Sequence, residues 1–114
     1  MPIATDGMRQ LVANSYTGAA THGSLHTATP GTTGAAEVTG GTPAYARKPL
    51  TWTAGTTGTA TSTAIFDVPT GVTVTHTGVW SALTAGTYRD NADITDQTFS
   101  SQGTLTVNYT YTQT

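Results

Sequence analysis

Residues 104–112, TLTVNYTYT, alternate between two kinds of side chain. Apolar and aromatic residues occupy positions 105, 107, 109 and 111, and threonine or asparagine occupies the positions between them. Successive side chains of a strand point to opposite faces, so this period of two predicts a β-strand with one buried and one solvated face. Because antiparallel sheets commonly leave one face in water, the stretch favours an antiparallel all-β fold.

Two other stretches combine strand-forming residues with a turn. Residues 59–68, TATSTAIFDV, run into a Pro-Thr-Gly turn, and residues 72–80, VTVTHTGVW, follow it. One face of the second stretch is predicted to carry Val72, Val74, His76 and Trp80. Residues 44–53, AYARKPLTWT, form a further candidate strand, which Pro49 restricts to a sheet edge or a bent strand because proline cannot donate to a ladder. Short strands at this spacing predict a small antiparallel β-sandwich or barrel, similar to a jelly roll.

A helical pattern lies near the N-terminus. In residues 5–16, TDGMRQLVANSY, apolar side chains recur at helical spacing. The face that they form consists of Met8, Leu11, Val12 and Tyr16. Thr5 or Asp6 is predicted to cap the first turn, and Gly18 is predicted to end the helix. So short a helix needs packing to be stable, so we expect it to dock on the β-domain or on a neighbouring subunit.

The predicted organisation is therefore a helix or arm at 1–20 and a single β-sandwich domain at 21–114. The domain includes a long segment at 27–43 that is rich in glycine, threonine and alanine and nearly uncharged. This composition predicts an extended loop. A loop of that length in a compact domain usually has a function or lies against a partner, and its low charge favours a protein surface as that partner.

Composition supports a folded β protein and narrows its partners. Only 9% of the 114 residues are charged and 36% are hydrophobic, whereas threonine alone contributes 29 residues. Disordered chains are usually highly charged, and β-branched threonine suits a pleated sheet. A net charge of −2 with four basic residues argues against nucleic acid, because phosphate binding needs clustered Lys and Arg. The adjacent pair Arg47 and Lys48 is interpreted as solvated strand positions.

Cysteine is absent from the sequence, which excludes disulfides, thiolate catalysis and thiolate-bound zinc. The N-terminus, MPIATDGMRQ, lacks the basic start and apolar run of a secretory signal. No stretch approaches the roughly 20 apolar residues of a membrane helix, so we expect no membrane partner.

Three histidines raise the question of a metal site. His22 and His26 have the four-residue spacing of a helical metal pair, but nearby glycines and a proline disfavour a helix there. On a strand their Cα atoms would lie roughly 13 Å apart, and zinc would need further ligands. The candidates for those ligands are His76, Glu37 and Asp67. The favoured interpretation is structural: two loop histidines, and at position 76 a hydrogen-bonded core residue rather than a catalytic base.

Three of the six acidic residues, Asp90, Asp93 and Asp96, fall within residues 89–97, RDNADITDQ. Their spacing of three differs from the alternating ligands of an EF-hand, so a polar loop is predicted and a loose calcium site is the alternative. The chain has one glutamate and no G-x-S-x-G elbow, which disfavours a paired-carboxylate glycosidase and a serine hydrolase. We therefore expect no enzyme, and no catalytic residue, metal or cofactor.

Four aromatic residues on the candidate strands have two interpretations: Trp52, Trp80, Tyr109 and Tyr111. They form either a platform that binds sugars or parts of the core whose polar tips reach water. The second interpretation is favoured, because tyrosine and tryptophan in amphipathic strands usually pack inward.

Five short strings carry a resemblance to known proteins. They are Leu25 to Ala28, Glu37 to Gly41, Tyr45 to Arg47, Thr51-Trp52 and Thr75 to Trp80. Over residues 21–112 the chain resembles a family of short proteins from tailed phages and prophages, with Pro43 as a departure between two of the strings. The resemblance implies a non-enzymatic structural protein of the virion, assembled in the cytoplasm of the bacterial host.

Within the virion, the expected role is capsid decoration on the outer head surface. Small size, the uncharged loop and a helix that must dock favour a homo-oligomeric cement protein that binds the major capsid protein or other virion proteins. The alternative is a protein of the tail tip or tail fibre that takes part in host attachment, with exposed aromatic residues binding glycans.

Overall fold

A computed structural model describes residues 2–114 as a two-sheet β-sandwich with an N-terminal helix, which confirms the expected all-β fold. The elements are α1 (Asp6–Ala19), β1 (His22–His26), β2 (Lys48–Pro49), β3 (Thr53–Ala54), β4 (Thr59–Val68), β5 (Val72–Trp80), β6 (Tyr88–Phe99) and β7 (Gly103–Thr112). One sheet has the strand order β2-β1-β5-β6, the other has β3-β4-β7, and every pairing is antiparallel. Met1, part of the predicted arm, lies outside the described residues.

The three-stranded sheet follows the alternation of the sequence closely. β4 pairs with β7 along its whole length, with Ala64 opposite Val107 and Phe66 opposite Leu105. Alternate side chains point inward, so the predicted strands at 59–68 and 104–112 are confirmed, together with the buried face predicted for the second. The outward side chains form an exposed surface that we call the threonine face. It consists of Thr61, Thr63, Ile65, Thr104, Thr106, Asn108, Thr110 and Thr112.

In the four-stranded sheet, β5 departs from a simple alternation. The ladder between β5 and β6 shifts register between Val74 and His76. This bulge reverses the faces beyond it, so Thr77 and Val79 face the other sheet while His76 and Trp80 lie on the outer face. The predicted single face from position 72 to position 80 is therefore wrong after the bulge, because the irregularity in the ladder shifts the two-residue period.

The core lies between the sheets. Its largest fully buried apolar side chains are Phe66, Leu25, Val68 and Val74, which come from both sheets. Each such side chain contributes roughly 1.5–3 kcal/mol relative to an exposed position. β1 is buried on both faces, since the segment 27–43 folds back over its outer side.

Helix α1 begins as predicted, with the hydroxyl of Thr5 accepting from the backbone N–H of Met8 at 3.2 Å. It continues through Gly18 to Ala19, so the predicted end at Gly18 is wrong. No helix in the described range 2–114 is long and apolar enough to cross a membrane.

The helix docks on the β-sandwich with a face that coincides only in part with the predicted one, since Tyr16 packs against the core as predicted. Ala13 is fully buried, whereas Met8 and Leu11 are exposed. The side chain of Gln10 provides the polar part of the contact, since its carbonyl accepts from the backbone N–H groups of Gly58 and its neighbour, at 2.9 and 3.2 Å.

Two sequence predictions of local structure are wrong. The candidate strand at 44–53 is reduced to the two-residue strands β2 and β3 with irregular chain between them, although Pro49 does lie at a sheet edge. The polar loop predicted at 89–97 is instead the middle of β6. That strand is held by its backbone ladder with β5, which a run of polar side chains does not indicate.

Candidate functional site

His26 lies at the centre of a buried polar cluster between β1, β5 and the 27–43 loop, which we call the His26 network. Its Nδ1 lies 2.7 Å from the carbonyl oxygen of Ala35, and its Nε2 lies 2.7 Å from the hydroxyl of Ser24. The indole Nε1–H of Trp80 donates to the same hydroxyl at 3.0 Å. A carbonyl only accepts, so Nδ1 carries the proton and Ser24 donates to Nε2. Burial lowers the pKa of His26 and favours this neutral ring.

Two glycines leave the space that this network needs. A Cβ atom on Gly78 would lie 2.7 Å from the Ser24 hydroxyl and 2.9 Å from Nε2 of His26. A Cβ atom on Gly34 would lie 2.5 Å from the indole of Trp80, and the φ of +75° at Gly34 is one that other residues rarely adopt. The loop can therefore cover the sheet this closely only with glycine at both positions.

Arg47 connects the loop to the sheet through all three guanidinium nitrogens. Nε and Nη2 donate to the two carboxylate oxygens of Glu37 at 3.0 and 2.9 Å, and Nη1 donates to the carbonyls of Ala82 and Ala85 at 3.1 and 2.8 Å. The guanidinium carbon also lies 3.5 Å from the ring centre of Trp80. With its side chain only 10% exposed, Arg47 is not the solvated strand position that the sequence predicts.

Tyr45 completes this group. Its hydroxyl donates to Glu37 at 2.8 Å and accepts from the backbone N–H of Leu25 at 3.0 Å, and burial raises its pKa. Four of the five strings that carry the phage resemblance therefore contribute to one buried region. Those strings are Leu25 to Ala28, Glu37 to Gly41, Tyr45 to Arg47 and Thr75 to Trp80. In the structure, residues of these four strings together hold the long loop on the outer face of the sheet.

The three histidines share one face of the sheet without forming a ligand set. The prediction that His22 and His26 are loop residues is wrong, because they lie at opposite ends of strand β1, and His76 lies beside His26 on β5. His76 is a partly buried outer-face residue rather than the predicted core residue. The further candidate ligands Glu37 and Asp67 lie in ion pairs with basic side chains instead. Within residues 2–114, no group of three or more His, Cys, Asp or Glu side chains is arranged to hold a metal ion.

The acidic residues Asp90, Asp93 and Asp96 lie on β6, which is the edge strand of the four-stranded sheet. Asp93 lies 3.9 Å from Nε2 of His76, and its side chain is 80% exposed. Charged side chains on an edge strand discourage pairing with a strand of another chain. Half of the acidic residues of the chain thus lie on an open edge strand, where their charge hinders pairing with a strand of another chain.

A cleft of about 470 Å³ opens between β6 and β7, each an edge strand of its sheet. We call it the aromatic cleft. Residues 90–94 of β6 and 107–112 of β7 form its walls, residues 77–79 of β5 line it between them, and Tyr16 and Trp52 also line it. Its volume is in the range of pockets that bind small molecules.

Four aromatic rings contact one another along this cleft. Tyr16 stacks on Tyr111 with ring centres 4.0 Å apart, and it forms a T-shaped pair with Trp52 at a centre distance of 6.3 Å. Trp52 in turn meets Tyr109 at 6.2 Å. The structure therefore brings together three of the four candidate platform residues and excludes Trp80, which lies under the loop on the other side of its sheet. The sequence assigned Tyr16 to a helix face only, since no local spacing indicates that α1 reaches β7.

Two tyrosine hydroxyls in the cleft have fixed partners. The hydroxyl of Tyr16 donates to Asp90 at 2.8 Å and ties the helix to β6. Burial, reinforced by that carboxylate, raises the pKa of Tyr16. The hydroxyl of Tyr109 lies 2.6 Å from that of Thr77, and burial raises the pKa of Tyr109 to about 12. Both tyrosines are therefore neutral at physiological pH.

Comparison with known proteins matches residues 10–112 to the family described as podophage GP4 fiber I protein gp80. No curated protein and no solved structure matches the chain. The matched range includes every strand, and with them the His26 network and the aromatic cleft. It agrees with the resemblance to tailed-phage proteins, although it does not indicate capsid decoration in particular. This chain belongs to the podophage GP4 fiber I protein gp80 family, and it is a structural protein of a phage virion.

Proposed function

We propose that this chain is a non-enzymatic building block of the tail fibre of a short-tailed phage. The description of its family as a fiber protein supports a fibre location. The observation that supports a structural role in the fibre is the threonine face, because that face suits contact with another protein surface.

The threonine face forms uncharged rows across β4 and β7, with Thr61 opposite Thr110 and Ile65 opposite Thr106. None of its eight exposed side chains is charged, and each threonine offers both a methyl group and a hydroxyl. Asp67 borders the face at one end, where its carboxylate lies 3.9 Å from a lysine amine. Such a face suits contacts between packed copies of a protein, because it forms them without repulsion between like charges.

The partners that fit this face are other virion proteins and further copies of this chain. A face without charge can meet its own copy across a two-fold axis, which is the commonest symmetry of homo-oligomers. The acidic edge strand β6 belongs to the other sheet, so it need not enter such a contact.

Capsid decoration is the second candidate. The same uncharged face would suit a broad contact with the major capsid protein on the outer head surface, and the small size of the chain suits a protein present in many copies. The family description favours the fibre over this location.

Quantitative mass spectrometry of separated heads and tails from purified particles tests the proposal. We expect the chain in the tail fraction, at a few copies per fibre. Recovery in the head fraction, at a copy number near that of the major capsid protein, would overturn the fibre location and support decoration. Absence from both fractions would overturn a virion role of either kind.

A variant pair tests the threonine face. Thr106→Arg places a charge at the middle of the face, whereas Thr95→Arg places one at an exposed position of β6. Both positions are exposed, so we expect both variants to fold and only Thr106→Arg to be lost from particles in a phage complementation assay. Equal incorporation of the two variants would exclude the threonine face as the assembly surface.

A further inference from the structure

The outer side of β7 is an open backbone edge, which we call the β7 edge. β7 pairs with β4 over ten consecutive residues without a shift in register, and no strand of residues 2–114 pairs with its other side. Just beyond that ladder, the N–H of Gln113 donates to the carbonyl of Gly58 at 2.8 Å. Because the direction of hydrogen bonding alternates along an antiparallel strand, the odd-numbered residues of β7 bond to β4. The N–H and C=O groups of the even-numbered residues, from Thr104 to Thr112, therefore point to the open edge.

The other sheet edges are protected against strand addition. β2 and β3 have two residues each, and β6 carries three aspartates and shifts register twice in its ladder with β5. Short length, charge and bulges are devices by which proteins prevent their edges from pairing. The β7 edge has none of them, since β7 is long, regular and uncharged. We propose that the β7 edge binds an extended, uncharged segment of another virion protein as an added strand.

The aromatic cleft provides the space for that strand. Its lining includes Asn108, Thr110 and Thr112. The side chains of these residues belong to the threonine face, on the outside of the sheet, so it is their backbone edge that borders the cleft. The cleft thus lies beside the free N–H and C=O groups, where an added strand would form its hydrogen bonds.

The stacking of the two sheets leaves room at this position. β1 lies over the β4–β7 pair, because a Cβ atom on Gly23 would meet both Phe66 and Tyr109. β5 lies over β7, where the hydroxyl of Thr77 is 2.6 Å from that of Tyr109. β6 lies on the side of β5 away from β1, and the aromatic cleft separates it from β7. A strand added to β7 would therefore occupy the cleft and face β6.

The lining of the cleft defines the chemistry of the added strand. Ala92, Ile94 and the ring of Tyr111 give it apolar surface, so the inward side chains of the strand should be apolar. The outward side chains would continue the uncharged rows of the threonine face. Among the described residues that line the cleft there is no lysine or arginine, so an acidic segment would find no charged partner there.

A second copy of the chain does not fit the β7 edge through its own β7. In each copy β5 packs over β7, as the contact between Thr77 and Tyr109 shows. Pairing two β7 strands would bring β5 of one copy onto β6 of the other, because β6 follows β5 in the sheet. The added strand is therefore a segment that no sheet of its own covers, namely an extended arm or terminus of the partner.

Two substitutions at one position test the proposal. Thr110→Pro removes an N–H that points to the open edge and leaves the bonds to β4 in place, and proline is tolerated at such positions of edge strands. Thr110→Val is the matched control, because it loses the same hydroxyl but keeps the N–H. We expect both proteins to fold by circular dichroism, and only Thr110→Pro to be lost from particles in a phage complementation assay.

Two outcomes of this assay would overturn the proposal. Equal incorporation of both variants would mean that no strand is added at the β7 edge. Loss of both variants would assign the contact to the side chain of Thr110 on the threonine face, and not to the backbone.

Hydrogen exchange gives a second test that needs no substitution, so it remains valid if Thr110→Pro fails to fold. Mass spectrometry compares the amides of β7 in the isolated chain and in purified particles. We expect the amides that face the open edge to exchange at least about tenfold more slowly in particles. Equal exchange in both samples would contradict strand addition. If the isolated chain is already protected there and is a dimer in analytical ultracentrifugation, a second copy occupies the edge and the assignment to another virion protein is wrong.

The proposal rests on the proposed function only in placing the chain in a virion, and the two fail separately. Recovery of the chain in the tail fraction, together with full incorporation of Thr110→Pro, would reject the added strand alone. Recovery in the head fraction, with slow exchange at the β7 edge, would reject the fibre location alone.

Discussion

The guanidinium of Arg47 lies between the ring of Trp80, 3.5 Å away, and the carboxylate of Glu37, which it binds through two nitrogens. Arginine suits this position because its planar group can stack on an aromatic ring and still donate in its own plane. The contact fastens the loop at 27–43 to β5, so a long segment whose single charged residue is Glu37 acquires one conformation. The stability of that segment thus depends on a few buried polar contacts.

Replacing Arg47 should therefore be costly. Arg47→Met leaves the carboxylate of Glu37, whose side chain is 21% exposed, without its charged partner. We expect the free energy of unfolding to fall by roughly 3 kcal/mol in urea denaturation. Arg89→Met is the matched control, because Arg89 is exposed on β6, and its effect should stay within about 0.5 kcal/mol. Equal effects of the two variants would show that the Arg47 contacts add no stability.

The His26 network should make stability depend on pH. Burial lowers the pKa of His26 in the folded state, so folding favours the neutral ring relative to an unfolded histidine with a pKa near 6.5. Its stabilising contribution is complete above that unfolded value and is lost as the pH falls through it toward the lower folded pKa. Protonation would also put a hydrogen on Nε2 of His26, where it would face the hydroxyl hydrogen of Ser24.

Denaturation at pH 7.5 and pH 5.5 measures this effect. The contribution of His26 to the pH dependence cannot exceed about 1.4 kcal/mol per pH unit. His26→Gln should flatten the dependence, and His22→Gln, at the other end of β1, should preserve it. A wild-type protein whose free energy of unfolding is equal at both pH values would contradict the role assigned to His26.

Two glycine substitutions should act in opposite directions. Gly18 lies within helix α1 with open space where a Cβ atom would lie, so Gly18→Ala should raise the free energy of unfolding by about 0.5 kcal/mol. Gly78→Ala would press a methyl group against Ser24 and His26 and should lower it by about 2 kcal/mol. Thermal denaturation followed by circular dichroism compares them. A Gly78→Ala protein as stable as the wild type would mean that β5 can move without loss.

Local pattern predicted those elements whose burial follows a simple period. The strand at 59–68 and the one that begins near 104 form where their patterns place them, because one face of each meets a core. The strand at 72–80 also forms at its predicted bounds, although the bulge breaks its two-residue period. The same patterns failed where structure depends on a distant partner. β6 contains too few apolar residues to be recognised, yet it is a strand because β5 supplies its ladder.

The candidate sites, too, were predicted where local strand positions decide them and were missed where contacts with distant residues do. The sequence identified Trp52, Tyr109 and Tyr111 as a possible platform, and their strand positions do bring them together. It missed Tyr16, because that ring reaches the cleft only through docking of α1, and it misplaced Trp80, because the bulge in β5 turns that side chain to the opposite face.

The sequence by itself thus determined the all-β class, the principal strands and the resemblance to phage virion proteins, since composition and a two-residue period are properties of neighbouring residues. Only the tertiary structure decided which face each residue of β5 occupies, how Arg47 and His26 hold the loop, and where the aromatic cleft opens. Those features arise from contacts between residues far apart in the chain. A single register shift in a strand is enough to move its side chains to the opposite face of the sheet.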